Sequence, residues 1–198
     1  MIKLALFDID GILNVAPRFS TRFTQEFEVS MDTLLEFFES SFQKCLTGKA
    51  DLRKELAKVK DKWNFDGSVD ELLDYWFEGE VNEIKEIREF ILNIKQQGIT
   101  TAAGTNQEKY RVKYLTNTLK LEEVFEEIYS SARIGIKKPD RKFFEFISAD
   151  LSIPFNQIIF WDDKQSNVDS AKSLGIHAFL FEGLDKIKVQ FENIYNEK

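Results

Sequence analysis

Three apolar runs of this chain each stop abruptly at residues suited to chemistry, and that repeated device leaves few folds open. Lys3-Leu-Ala-Leu-Phe7 runs into Asp8-Ile-Asp-Gly11, Ile99-Thr-Thr-Ala-Ala103 into Gly104-Thr-Asn106, and Gln157-Ile-Ile-Phe-Trp161 into Asp162-Asp163. A short run that is apolar on both faces marks a strand buried between two layers, the usual condition of a parallel sheet. A fourth run, Ala178-Phe-Leu-Phe181, follows Gly175, and a weaker one lies at Glu127-Ile-Tyr-Ser130. Helical patterns of crossover length separate them, over Ile84–Gln97, Lys109–Leu119, Arg141–Asp150 and Asn167–Leu174. Alternating strand and helix predicts an α/β fold whose ligand site lies past the C-terminal ends of the strands. Gly98 and Gly175 read as helix stops, and Pro139 with Asp140 as a helix start.

The rhythm breaks between Ala16 and Glu80, where the pattern is almost wholly helical, with Leu34, Leu35, Phe37 and Phe38 and later Leu72, Leu73, Tyr75, Trp76 and Phe77. The expected organisation is a core of residues 1–15 and 81–198 with a helical insertion at 16–80. That insertion carries 9 basic and 14 acidic side chains, against 18 and 20 for the remainder, so it is the more acidic part. No internal repeat, low-complexity tract or proline-rich linker separates the two, which predicts that they pack as one unit.

Asp8 and Asp10 stand one residue apart just past a strand, so extended chain places both side chains on one side. Paired carboxylates suit a hard cation such as magnesium, and one of them can also serve as a nucleophile. Asp162-Asp163 repeats the device before Asn167, although Asp163 or Ser166 is also expected to cap the following helix. Thr105 and Asn106 close another strand, where a hydroxyl and main-chain N–H groups suit phosphate oxygens, or where the loop simply caps the helix starting near Glu108. In Lys137-Lys138-Pro139 the proline disfavours the α conformation before it, leaving Lys138 extended and able to reach an anion.

In this order the four segments resemble the motifs of the haloacid dehalogenase (HAD) superfamily: Asp8-Ile-Asp10-Gly11, then Thr105 with Asn106, then Lys138-Pro139, then Asp162-Asp163 with Asn167. The resemblance covers roughly residues 1–15 and 81–185. It implies a Rossmann-like core, with the insertion resembling the superfamily's four-helix C1 cap. It further implies that Asp8 attacks phosphorus to form an aspartyl-phosphate, while Asp10 protonates the leaving oxygen and later activates water. Magnesium would be held by the Asp8 side chain, the Asp10 main-chain carbonyl and Asp163, with Asp162 ligating or supporting; Thr105, Asn106 and Lys138 would hold the phosphoryl group. Dehalogenases resembling this chain lack an aspartate at the position of Asp10, which favours phosphoryl chemistry. Lys138 is preferred to Lys137 because it directly precedes the proline, as in the superfamily pattern.

The implied activity is a phosphoric monoester hydrolase acting on a small phosphorylated metabolite. Its alternatives are a sugar phosphomutase of the same superfamily and a non-catalytic interaction module. A net charge of -7 without an arginine-rich stripe argues against nucleic acid as a partner. No apolar run approaches a membrane span and the N-terminus lacks a signal-peptide pattern, so a cytoplasmic location is expected. The lone Cys45 reads as a small buried apolar residue, and the lone His177 as structural.

Overall fold

The computed structural model describes residues 1–196; residues 197 and 198, the last two of the expected core, lie outside the described residues. Five strands form one parallel sheet: β1 Leu4–Phe7, β2 Thr100–Thr105, β3 Glu127–Ser130, β4 Ile158–Asp162 and β5 His177–Leu180, in the order β3-β2-β1-β4-β5. Between β1 and β2 run α1 Phe19–Glu26, α2 Met31–Glu39, α3 Ser41–Cys45, α4 Leu52–Ala57, a 3-10 turn at Lys60–Trp63, α5 Val69–Glu78 and α6 Lys85–Gln96. The rest are α7 Lys109–Thr118, α8 Leu121–Val124, α9 Ser131–Ile134, α10 Arg141–Leu151, α11 Gln165–Lys172 and α12 Leu184–Asn196. Among the described residues, no helix is long and apolar enough to cross a membrane.

β1 is central because all four of its side chains are apolar and find partners on both faces. Ala5 and Phe7 join a cluster with Ile91 and Ile94 of α6, Leu115 of α7 and Ile187 of α12. Leu4 and Leu6 face the other way, into Phe143 and Ile147 of α10 and Val168 of α11. This is the two-residue period of a strand buried on both sides. The register pairs Phe7 with Ala103 on one side and with Trp161 on the other, so the residues that follow all three strands emerge at one edge.

All five expected strands form, and the four expected crossover helices start and end within a residue or two of the pattern. β2 runs on to Thr105, because β3 lies against it and pairs Gly104 with Tyr129 and Thr105 with Ser130. Gly98 and Gly175 follow their helices at φ of 79° and 90°, and the Asp140 carboxylate caps α10 by accepting from the Lys142 N–H at 3.0 Å. The terminal helix α12 has no counterpart among the helical patterns read from the sequence, although Ile187 and Phe191 sit four apart and bury against the sheet.

The insertion has a core of its own, in which Phe19, Phe23, Phe37, Trp63, Leu72 and Trp76 are all buried. It contains five α-helical segments. Ser40, at φ -115° and ψ -90°, separates α2 from α3. Tyr110 and Tyr114 of α7 pack against this core and seat it on the sheet domain. The two crossings between the parts run side by side: Val15 donates to the Asn82 carbonyl at 2.9 Å and Ile84 to the Leu13 carbonyl at 2.8 Å.

Candidate active site

Asp8 leaves the end of β1 buried, its main-chain N–H bonded to the Trp161 carbonyl at 3.0 Å. One carboxylate oxygen accepts from the Ile9 N–H at 2.7 Å, and the other lies 3.0 Å from the Lys138 Nζ. The Lys138 side chain is wholly buried and its Nζ also donates to Asp162 Oδ2 at 2.5 Å. Asn106 fixes the lysine from behind, giving its Nδ2 to the Lys138 carbonyl at 2.8 Å and accepting from the Lys138 N–H at 2.9 Å. Both polar ends of the Asn106 side chain are thereby used on the loop. Lys137 lines the same cleft but donates to Gln43 Oε1 of the insertion at 2.5 Å.

Asp162 is fully buried, and its second oxygen accepts from the Lys164 N–H and from Asn167 Nδ2, both at 2.9 Å. Asp163 behaves differently from the expectation that it or Ser166 caps the next helix. α11 starts at Gln165 with Lys164 before it, and no side chain caps that end. Asp163 instead lies exposed over the turn at Gly11, where φ is 86° and an added Cβ would stand 2.6 Å from the Asp163 carboxyl carbon. Glycine is required there twice over, for its backbone angle and for the space.

Oxygens of Asp8, Asp162 and Asp163 lie within 4.8 Å of one another. Three carboxylates face one buried ammonium, and their protonation reflects the imbalance. Burial pushes Asp8 up to about 7 although Lys138 pulls it down, with Asp162 adding to the rise. Partial desolvation of its carboxylate in the cleft also raises Asp163, exposed as the residue is overall, partly offset by Lys164. Burial opposes the charge on Lys138, but Asp8 and Asp162 outweigh it and hold the ammonium above the ordinary lysine value. A set of hard oxygen donors with uncompensated negative charge fits a small divalent cation such as magnesium.

Asp10 projects into the cleft with its carboxylate half exposed. Asn14 Nδ2 donates to its Oδ1 at 2.8 Å, Gln107 Nε2 donates to its Oδ2, and Arg111 lies 3.9 Å away. The same side chains hold the crossing into the insertion. Asn14 Nδ2 also donates to the Glu80 carbonyl at 2.9 Å, and Arg111 donates to the carbonyls of Phe77 at 3.1 Å and Glu80 at 2.8 Å. Sequence reasoning passed over Asn14, Gln107 and Arg111. The available signal was Arg111, which shares the apolar stripe of α7 with Leu115, four residues on, and an arginine on a buried stripe is paired for a reason.

Thr105 is buried at the end of β2 and lines the same cleft of about 640 Å³ as Asp8, Asp10, Lys138 and Asp163. The loop does not cap α7: Glu108 does so itself, accepting from the Tyr110 N–H at 2.9 Å and from the Arg111 N–H. His177 starts β5, at the opposite end of the strands, with its ring against the Asn156 carbonyl at 3.2 Å. Cys45 is buried within the insertion.

The family described as haloacid dehalogenase-like hydrolase matches residues 5–181. Among curated proteins, the chain is 39% identical over 72 residues to the drimenol cyclase of Aspergillus calidoustus, covering 36% of this chain and 14% of that protein. It is 29% identical over 90 residues to the phosphoglycolate phosphatase of Pseudomonas savastanoi pv. phaseolicola, covering 46% of this chain and 33% of that one. The chain thus spans a third or less of the length of these two relatives. Among solved structures, a HAD family enzyme of Bacteroides thetaiotaomicron, in complex with magnesium and inorganic phosphate, matches with a TM-score of 0.82 at 20% identity. That match covers 96% of this chain and 99% of the other, and it is a likeness of fold.

Proposed function

The chain belongs to the haloacid dehalogenase-like hydrolase family, whose match runs through all four motif segments, and from that premise we propose a magnesium-dependent phosphohydrolase acting on a small phosphorylated metabolite through Asp8. The observation that carries the proposal is the contrast between two carboxylates at one strand end. Asp8 is buried against the Lys138 ammonium at 3.0 Å, while Asp10, two residues on, reaches into the open cleft. That contrast supports a nucleophile in the first and a proton carrier in the second. The phosphatase among the relatives supports a phosphate ester as substrate.

In this reading an oxygen of Asp8 attacks phosphorus in line as the bond to the substrate's ester oxygen breaks. Asp10 gives its proton to that departing oxygen. A water molecule, deprotonated by Asp10, then attacks the phosphorus of the aspartyl-phosphate, and inorganic phosphate leaves the restored Asp8 carboxylate. The Thr105 hydroxyl and the Lys138 ammonium hold the phosphoryl oxygens, with Asn106 acting through the Lys138 main chain. Asp8, Asp163 and the Asp10 carbonyl would hold magnesium, while Asp162, both of whose oxygens are engaged, anchors Lys138. Magnesium supplies charge neutralisation that lets a carboxylate approach a phosphate. The insertion, as residues 16–80, serves as a cap over the cleft whose closure excludes water.

The test is hydrolysis of para-nitrophenyl phosphate with magnesium and with chelator, beside Asp8→Asn, which keeps the shape of the side chain and loses its nucleophile. Metal-dependent turnover that vanishes in the variant is expected. Turnover surviving either the chelator or the substitution contradicts the proposal.

A further inference from the structure

Resting on the phosphohydrolase reading above, we infer that the group esterified to the phosphate is a hydrocarbon, so that the site prefers alkyl, prenyl or aryl monophosphates over sugar phosphates. The cleft has two unlike ends. At the strand edge lie Asp8, Asp10, Thr105 and Lys138; the wall contributed by the insertion presents Leu35, Phe38 and Phe42, with the buried Phe19 and Trp76 of its core also reaching the lining. Leu35 keeps 38% of its surface exposed, and Val15, on the crossing beside the site, keeps 42%. Large apolar side chains left in water on a concave surface mark a place that a ligand covers.

Two of the four polar residues that the insertion gives to the cleft, Gln43 and Glu80, are already engaged by the protein. Gln43 gives its Nε2 to the Phe38 carbonyl at 2.6 Å and accepts from Lys137 at 2.5 Å. Glu80 accepts from the Phe19 N–H at 2.5 Å and from the Trp76 indole N–H at 3.0 Å. Arg18 and Ser20 are the other polar residues of the insertion that line the cleft. A sugar ring would bring several hydroxyls, and those set against Leu35, Phe38 and Phe42 would lose water without gaining a partner. A hydrocarbon loses nothing there and removes the apolar wall from water. A volume of about 640 Å³ falls within the roughly 300–1,000 Å³ that holds drug-sized ligands, so there is room for such a chain beside the phosphate.

The experiment is calorimetric titration of the magnesium-loaded protein with methyl-, butyl- and octylphosphonate, which cannot be hydrolysed at the carbon–phosphorus bond, alongside para-nitrophenyl phosphate turnover. Each methylene added against the wall is expected to tighten binding by roughly threefold until the wall is covered. Octylphosphonate should then bind at least about a hundredfold more tightly than methylphosphonate. Leu35→Asp, at an exposed position on the cleft wall, should cut that ratio at least about tenfold. Affinity that does not change with chain length, or a ratio unmoved by Leu35→Asp, overturns the inference while para-nitrophenyl phosphate turnover leaves the phosphohydrolase reading standing. Absence of both phosphonate binding and turnover overturns the two together.

Discussion

Asp8 is held in a place that favours its neutral form, and two consequences follow at the scale of the residue. In the metal-free protein burial raises its carboxyl to about 7 from the ordinary 3.8, so between those values the folded chain keeps a proton that the unfolded chain has released. Stability contributed by this group is therefore greatest at low pH and falls as pH rises across that window. A cation ligated by Asp8 must displace the proton, so magnesium affinity should weaken by about tenfold for each unit that pH falls below 7. Titration calorimetry across the window checks this, and a flat profile contradicts it. Gly11 gives a second residue-scale prediction. Gly11→Ala forces a side chain onto Asp163 at a φ of 86°, and magnesium affinity should drop by about 10- to 100-fold, the usual effect of disturbing a ligand's support. An alanine variant that binds the metal unchanged would show that Asp163 does not contribute.

At the scale of the element, the seam between residues 10–15 and 80–84 joins Asp10, the proposed acid–base group, to the insertion. Arg111 on α7 spans it, with the carbonyls of Phe77 and Glu80 on one side and Asp10 on the other. Arg111→Lys keeps the charge but cannot form the same planar fork. We expect it to stay folded and to lose about 100-fold in kcat/KM through misplacement of Asp10, with its pH–rate profile altered on the limb that reports that group. Wild-type kinetics in this variant would reduce the seam to a structural tie. The elements themselves were largely legible, because β1 and β4 are apolar on both faces and run into carboxylates, and β2 runs through Gly104 to Thr105. What the sequence concealed was which side chains are already occupied. Nothing in the order Asp162-Asp163 says that the first is consumed by Lys138 and Asn167 while the second is left facing Gly11. Nor does Asn106 disclose that both its ends bond the Lys138 main chain. Those assignments come from loops brought together across 32 residues for Asn106 and Lys138 and 97 for Asp10 and Gln107, beyond the reach of local pattern.

At the scale of the whole molecule, two cores carry the stability: the layered sheet domain and the aromatic cluster of the insertion. Trp63 is buried in the latter, in ring contact with Phe19, Phe23 and Phe37, and Trp63→Ala should cost about 3–5 kcal/mol, read as a shift in denaturation midpoint. A shift below about 1 kcal/mol would mean the insertion's core is not as closely packed as its burial implies. The resemblance of the sequence motifs foresaw this arrangement of a parallel sheet with helices inserted after its first strand; the apolar character of the cleft wall emerged only once Leu35, Phe38 and Phe42 were seen on the side facing Asp8. Everything in the account turns on Asp8 as the nucleophile. The most direct test mixes Asp10→Asn protein with para-nitrophenyl phosphate and magnesium, quenches in acid and maps the peptides by mass. The nitrophenolate leaves without much help from an acid, whereas hydrolysis of the aspartyl-phosphate needs Asp10 as base, so the account predicts one phosphoryl group retained on the peptide that carries Asp8. A phosphoryl group on any other residue, or release of nitrophenol in a stoichiometric burst with no labelled peptide, would contradict it.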